Sequence, residues 1–197
     1  DQLSMYLNHV SMDLDIGIMA WWPYIIKQPL IKSSKYGFIN THPSLLPYNR
    51  GKHYNFWALV EQVPFGATLH FVDKGIDSGD IISQMSIPYG WEDNGATLYK
   101  KAKSTMITLF KKTYPSIRNL NIPRTKQDLK DGSFHAASEI DSASYIDLGM
   151  QYRAKDLLNL LRARTFPGHQ ACWFRDGDEE YEIRVEIKKR KSTSEQI

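Results

Sequence analysis

The chain has 197 residues, 42% of them hydrophobic and 24% charged, with 25 basic and 22 acidic side chains and a formal charge of +3. That length fits one globular domain with a small appendage, and the balance of apolar and charged residues excludes wholesale disorder. The single cysteine, Cys172, excludes an intramolecular disulfide and a cysteine-built zinc cage, and no run of 18 apolar residues spans a bilayer.

Residues 15–22 (DIGIMAWW) are short and apolar and read as a buried strand ended by Pro23. Residues 24–32 carry apolar side chains at helix-like intervals, with Pro29 as a kink. A second buried strand is expected over 37–41 (GFINT), followed by a proline- and glycine-bearing loop over 42–52. Residues 54–62 read as a short helix with Phe56, Leu59 and Val60 on one side. Residues 67–72 (ATLHFV) and 81–87 (IISQMSI) alternate as strands do, joined by the polar loop DKGIDSGD. A capped helix is expected over 93–114, stopped by Pro115. Residues 119–150 are mixed and polar, with PRTKQDLKDGS as the clearest linker. A helix over 154–164 and two strands, 170–174 and 181–187, joined by RDGDEE, close the chain before the charged tail KKRKSTSEQI.

Strands alternating with helices indicate an α/β core, followed by a helix and hairpin appendage. The expected units are a catalytic core over 1–118, a linker over 119–150 and a C-terminal helix and β-hairpin over 151–197. With one strand before Asn40 and no GxGxxG, the core reads as lacking its first βαβ unit. No leader is visible in DQLSMYLNHV, so the expected setting is cytoplasmic and reducing.

Asn40 and His42 stand two apart on an extended segment and so share a face, where a buried strand enters a loop. An amide beside an imidazole can stabilise an oxyanion and move a proton in one reaction; equally, the pair can satisfy loop backbone groups. Asp77 can orient and charge such an imidazole, or merely bond its own turn. The loop Tyr48, Asn49, Arg50, Gly51, Lys52, His53 suits a phosphorylated substrate or reads as a solvated basic turn. Trp21, Trp22 and Tyr24, flanking Pro23, read as core or as a wall for a flat heterocycle. His70 sits inside a strand pattern and reads as structural, and His9 and His169 lack local partners. No HxH or HExxH pattern points to a metal, and the basic run 188–191 reads as a solvated end rather than a nucleic-acid site.

FINTHPSLLPYNRG followed by GATLHFVDKGIDSGDII resembles the two signature regions of the 10-formyltetrahydrofolate-dependent formyltransferases. The resemblance covers roughly residues 14 to 188 and implies a Rossmann-like formyltransferase core. It implies Asn40, His42 and Asp77 as the catalytic trio and 10-formyltetrahydrofolate as cosubstrate, with no metal. Lys74-Gly75 stands where relatives often carry acidic residues. YNRGKH, GSFH and LRARTFPGHQACWF are similar to the enzymes that formylate nucleotide-linked amino sugars for lipopolysaccharide or O-antigen synthesis. That similarity implies a dTDP-sugar substrate, no nucleic acid or membrane partner, and a homodimer through the C-terminal hairpin. Trp21, Trp22, Pro23, Tyr24 and Asp73 are then expected at the folate. Tyr48, Asn49, Arg50, Lys52 and His53 are expected at the sugar nucleotide. The rival readings are formylation of methionyl-tRNA or glycinamide ribonucleotide, and a truncated ligand-binding form without activity.

Overall fold

A computed structural model describes residues 14–22 and 24–190; His9, Pro23 and residues 191–197, on which expectations fell, lie outside the described residues. In chain order the elements are β1 (Gly17–Met19), β2 (Phe38–His42), β3 (Arg50–Gly51), α1 (Tyr54–Glu61), β4 (Gly66–Phe71) and β5 (Ile81–Ser86). Then come α2 (Gly95–Arg118), β6 (Phe134–His135), α3 (Glu139–Ala143), α4 (Ala154–Arg164), β7 (Cys172–Asp176) and β8 (Glu179–Ile183). The architecture is mixed α/β.

The central sheet runs β1-β2-β4-β5, with β1 parallel to β2 and the other two pairs antiparallel. Strand β4 is buried along its whole length, yet its side chains alternate in polarity. Ala67, Leu69 and Phe71 join Ile39 and Ile82 against Met106, Leu109 and Ile117 of α2. Thr68 and His70 point to the opposite face, because successive strand residues alternate. The first half of α2 packs elsewhere: Leu98 and Ala102 meet Phe56, Leu59 and Phe65 around α1, with Ala163 of α4. Helix α2 thus ties the sheet to the helices, and truncating Leu109 to Ala costs about 2–5 kcal/mol.

Asn94 caps α2: its side chain accepts from Thr97 N–H at 3.0 Å while Thr97 Oγ1 accepts from Asn94 N–H at 2.9 Å. The expected stop at Pro115 is corrected: the helix continues to Arg118 with the proline inside it. A proline this near the end removes one rung, and Ile117, 1% exposed, holds the last turn on the sheet. The expected helix over 24–32 is also corrected, to a single 3-10 turn at Leu30–Lys32. Pro29 lacks an N–H and biases Gln28 away from helix, and of the apolar positions only Ile26 is buried, with Tyr24 and Ile25 exposed.

The polar stretch 119–150 is built into the main body. Strand β6 pairs parallel with β3, aligning Phe134 with Arg50 and His135 with Gly51, and Ile140 of α3 enters the α1 core. Beyond it, Leu161 of α4, Cys172 of β7 and Ile146 form a smaller cluster beneath the hairpin. The first hairpin strand lies two residues later than expected and the second is shorter and starts two residues earlier, the two being joined around Gly177, whose φ of +59° suits a tight turn.

Candidate active site

The second face of the sheet carries polar groups where a core would be apolar. The β2–β4 register sets Asn40 opposite His70 and His42 opposite Thr68, and opposed residues of antiparallel strands share a face. His70 therefore stands beside Asn40, with Asn40 Nδ2 3.4 Å from His70 Nε2. The His70 Nδ1 lies 2.8 Å from the Phe71 carbonyl, which only accepts, so Nδ1 carries a hydrogen and Nε2 is left facing the Asn40 amide and the Asp77 carboxylate. His70, which its strand pattern marks as structural, is buried, and its ring faces the site. Its signal lay in the parity of ATLHFV, which puts Thr68 and His70 on one face, and became usable only with the register.

Asp77 reaches this face from the β4–β5 loop, with a left-handed φ of +50°. The loop is held from both ends. Asp73 Oδ1 accepts from Gly75 N–H at 2.9 Å and Ser78 Oγ at 2.7 Å, while Gln127 Nε2 donates to the Asp77 and Gly79 carbonyls. A side chain at Gly79 would collide with the Phe71 carbonyl, so the loop can lie this close only with glycine there. So held, the Asp77 carboxylate joins three strands. Oδ1 lies 3.5 Å from both Asn40 Nδ2 and His70 Nε2, and Oδ2 lies 3.4 Å from His42 Nδ1 and accepts from Gly51 N–H at 3.0 Å. Burial works against its charge, but His42, His70 and the Gly51 N–H together hold the carboxyl well below the usual range.

His42 is 5% exposed and fixed at both nitrogens. Nε2 lies 3.2 Å from the Asn49 carbonyl and so carries a hydrogen; Nδ1 faces Asp77. Burial pushes the imidazole below its ordinary pKa, opposed by the Asp77 charge. A neutral ring with a carboxylate at Nδ1 can take a proton there and have the resulting charge stabilised. Tyr54 packs edge-on at 5.7 Å, its hydroxyl pushed up by burial.

This constellation forms part of the wall of a cavity of about 840 Å³. Trp21, Trp22, Tyr24, Lys52, His53 and Asp73 line it. An aromatic chain also runs along it: Trp21 edge-on to Tyr99, Tyr99 to Phe166, and Phe166 to His169, with centroids 5.8, 5.5 and 4.7 Å apart. Arg164 lines the same cavity near His53, whose imidazole is lowered by burial and by that guanidinium. Tyr54, Tyr99, His135, Arg164, Phe166 and His169 were not singled out as site residues in the sequence, because they arrive from α1, α2, β6 and the end of α4. Three expected contacts do not line the cavity. Asn49 is fully buried, Tyr48 gives its carbonyl to Ser44 Oγ, and Arg50 is taken into the β3–β6 pairing.

A family model described as formyl transferase matches residues 5–112, and one described as N-formyltransferase dimerization C-terminal domain matches residues 139–189. A methionyl-tRNA formyltransferase of Listeria innocua is 32% identical over 126 residues, 64% of this chain and 40% of that protein. The chain thus spans about two-fifths of the curated relatives it matches. Among solved structures, a 4-N formyltransferase from Francisella tularensis superposes with a TM-score of 0.83 at 28% identity, over 89% of this chain and 72% of that one. The formyltransferase PseJ from Anoxybacillus kamchatkensis, solved with UDP-4,6-dideoxy-4-formamido-L-AltNAc and tetrahydrofolate, gives 0.65 at 32% identity over 81% of each chain.

Proposed function

The chain belongs to the formyl transferase family, and from that membership we propose that it moves a formyl group from 10-formyltetrahydrofolate to the amine of a nucleotide-diphosphate-linked amino-deoxy sugar. The observation that carries this reading is the Asn40–His42–Asp77 constellation, set in one cavity with exposed aromatics and with the cations Lys52 and Arg164. Half-exposed Trp21 and Trp22 fit a flat ring, which a fully packed core would not accept. When bound, the folate supplies an activated formyl carbon.

The residues then divide the work. Asn40 donates its amide hydrogen to the oxygen on which negative charge develops, worth about 10²–10³-fold in rate. His42 would take the amine's proton at Nδ1 and return it to the folate nitrogen as that nitrogen's bond to the formyl carbon breaks, with Asp77 stabilising the charged ring; such transfer contributes about 10²–10⁴-fold. Lys52 and Arg164 meet the diphosphate, and Tyr99 and Phe166 offer ring faces to the base. Two copies pair through the C-terminal hairpin, a reading supported by the description of the family model matched there. No helix of the described residues is long and apolar enough to cross a membrane.

The similarity to methionyl-tRNA formyltransferases favours a second acceptor, the amine of a charged initiator tRNA. One assay separates the two. The protein is incubated with 10-formyltetrahydrofolate and a panel of dTDP- and UDP-linked amino sugars, methionyl-tRNA and glycinamide ribonucleotide. Mass spectrometry of a formylated sugar is the expected result; a formylated tRNA or ribonucleotide with every sugar unchanged overturns the sugar reading.

A further inference from the structure

A second polar cluster lies behind the loop that carries the site. Asn49, at φ +52° and fully buried, donates its side-chain amide to Glu61 Oε2 at 2.8 Å and to Ser133 Oγ at 3.2 Å. Its backbone N–H reaches the same Ser133 Oγ at 3.1 Å, and Ser133 in turn donates to Glu61 Oε2 at 2.8 Å. The other Glu61 oxygen lies 2.7 Å from His135 Nε2, and His135 Nδ1 lies 3.0 Å from Glu139 Oε2. The imidazole stacks on Trp57 at 3.7 Å, with the planes 8° apart. Glu61 of α1 and Ser133, just before β6, thus meet on one loop residue, with His135 and Glu139 bonded in turn behind Glu61.

That residue's carbonyl is the group that fixes His42 Nε2, and two positions on, the Gly51 N–H fixes Asp77. The short 49–51 segment therefore sets the positions of two of the three reacting side chains, and Glu61 anchors it without lining the cavity. We propose that Glu61, with His135 behind it, is a positioning residue for formyl transfer: it holds Asn49 so that the Asn49 carbonyl keeps the His42 ring in register with Asp77. The role in transfer rests on the function proposed above; the mechanical link from Glu61 to the His42 ring does not.

Two readouts keep those levels apart. Without any substrate, nitrogen–proton correlation spectra of the histidine rings report His42 directly. Glu61→Ala is expected to move the His42 Nε2 resonance, Ser133→Ala to move it less, and Glu61→Gln, which keeps an acceptor for Asn49, to restore most of it. Glu180→Ala on the hairpin serves as the control and leaves it in place. In the transfer assay, Glu61→Ala lowers kcat about 10–100-fold, the scale of a displaced reacting group, with KM for folate and amine within about threefold of wild type. Spectra of Glu61→Ala and Ser133→Ala that superimpose on wild type overturn the link. An unchanged kcat, or a loss confined to KM, overturns the positioning role. Should Glu61→Ala not fold, Ser133→Ala and Glu61→Gln decide by the same spectra. A wild-type protein that formylates no amine removes the proposed function, while the spectra still decide the link.

Discussion

Two histidine clusters sit on either side of the 49–51 segment and differ in how tightly they are bonded. Around His135 the partners stand at 2.7–3.0 Å and the ring lies flat on Trp57. Around His42 and His70 the contacts between Asn40, the two rings and Asp77 are 3.4–3.5 Å. In the first cluster both His135 nitrogens face carboxylates of the same chain, which fixes the ring. The second keeps longer contacts, which leave its groups capacity to bond a substrate. Residues of one type thus do different work, and the contact lengths distinguish them.

Substitutions should separate the clusters by what each loses. Asn40→Ala is expected to lower formyl transfer by about 10²–10³-fold while shifting stability by less than about 1 kcal/mol, since its contacts are long; steady-state kinetics with thermal unfolding measures both. Glu61→Ala should reverse the emphasis, with kcat down about 10–100-fold and stability down by about 1–3 kcal/mol from the stranded Asn49 amide. Equal stability losses in the two variants would erase the distinction.

Acid should act on the looser cluster. Asp77 titrates lower in the folded than in the unfolded protein, so its contribution is present above about pH 4 and lost as pH falls through that range. His42 is also lowered, so the unfolded chain takes up its proton first and stability falls as pH drops below about 6.5. Denaturant midpoints against pH should decline on the acid side, and Asp77→Asn should flatten the lower part of that slope. The smallest effect is expected at the aromatic wall: Trp21→Ala raises the folate KM by roughly threefold to tenfold with kcat little changed, consistent with the loss of about 1 kcal/mol of ring contact.

The sequence announced local periodicity well. Residues 154–164 read as the helix they are, and 37–41 as a strand one residue out of step with Phe38–His42, because their apolar spacing coincides with real buried faces. Residues 24–32 carried a helical spacing that no partner surface uses, and Pro115 lost to the burial of Ile117. Asn40, His42 and Asp77 were legible because two lie on one strand and the third in a recognisable turn. His70, His135 and Arg164 were not, since a register, a β3–β6 pairing and a helix end bring them in from a distance in the chain. Asn49 looked like a ligand contact among basic neighbours, and its burial beneath Glu61 could be seen only in the fold.

The central claim is that Asn40, His42 and Asp77 carry out formyl transfer in this cavity. Its most direct test runs wild type and Asp77→Asn side by side, following folate binding by tryptophan fluorescence and the formylated sugar by mass. Wild type should form product, and Asp77→Asn should bind folate yet form product at least about 10²-fold more slowly. Equal product from both proteins would contradict the account.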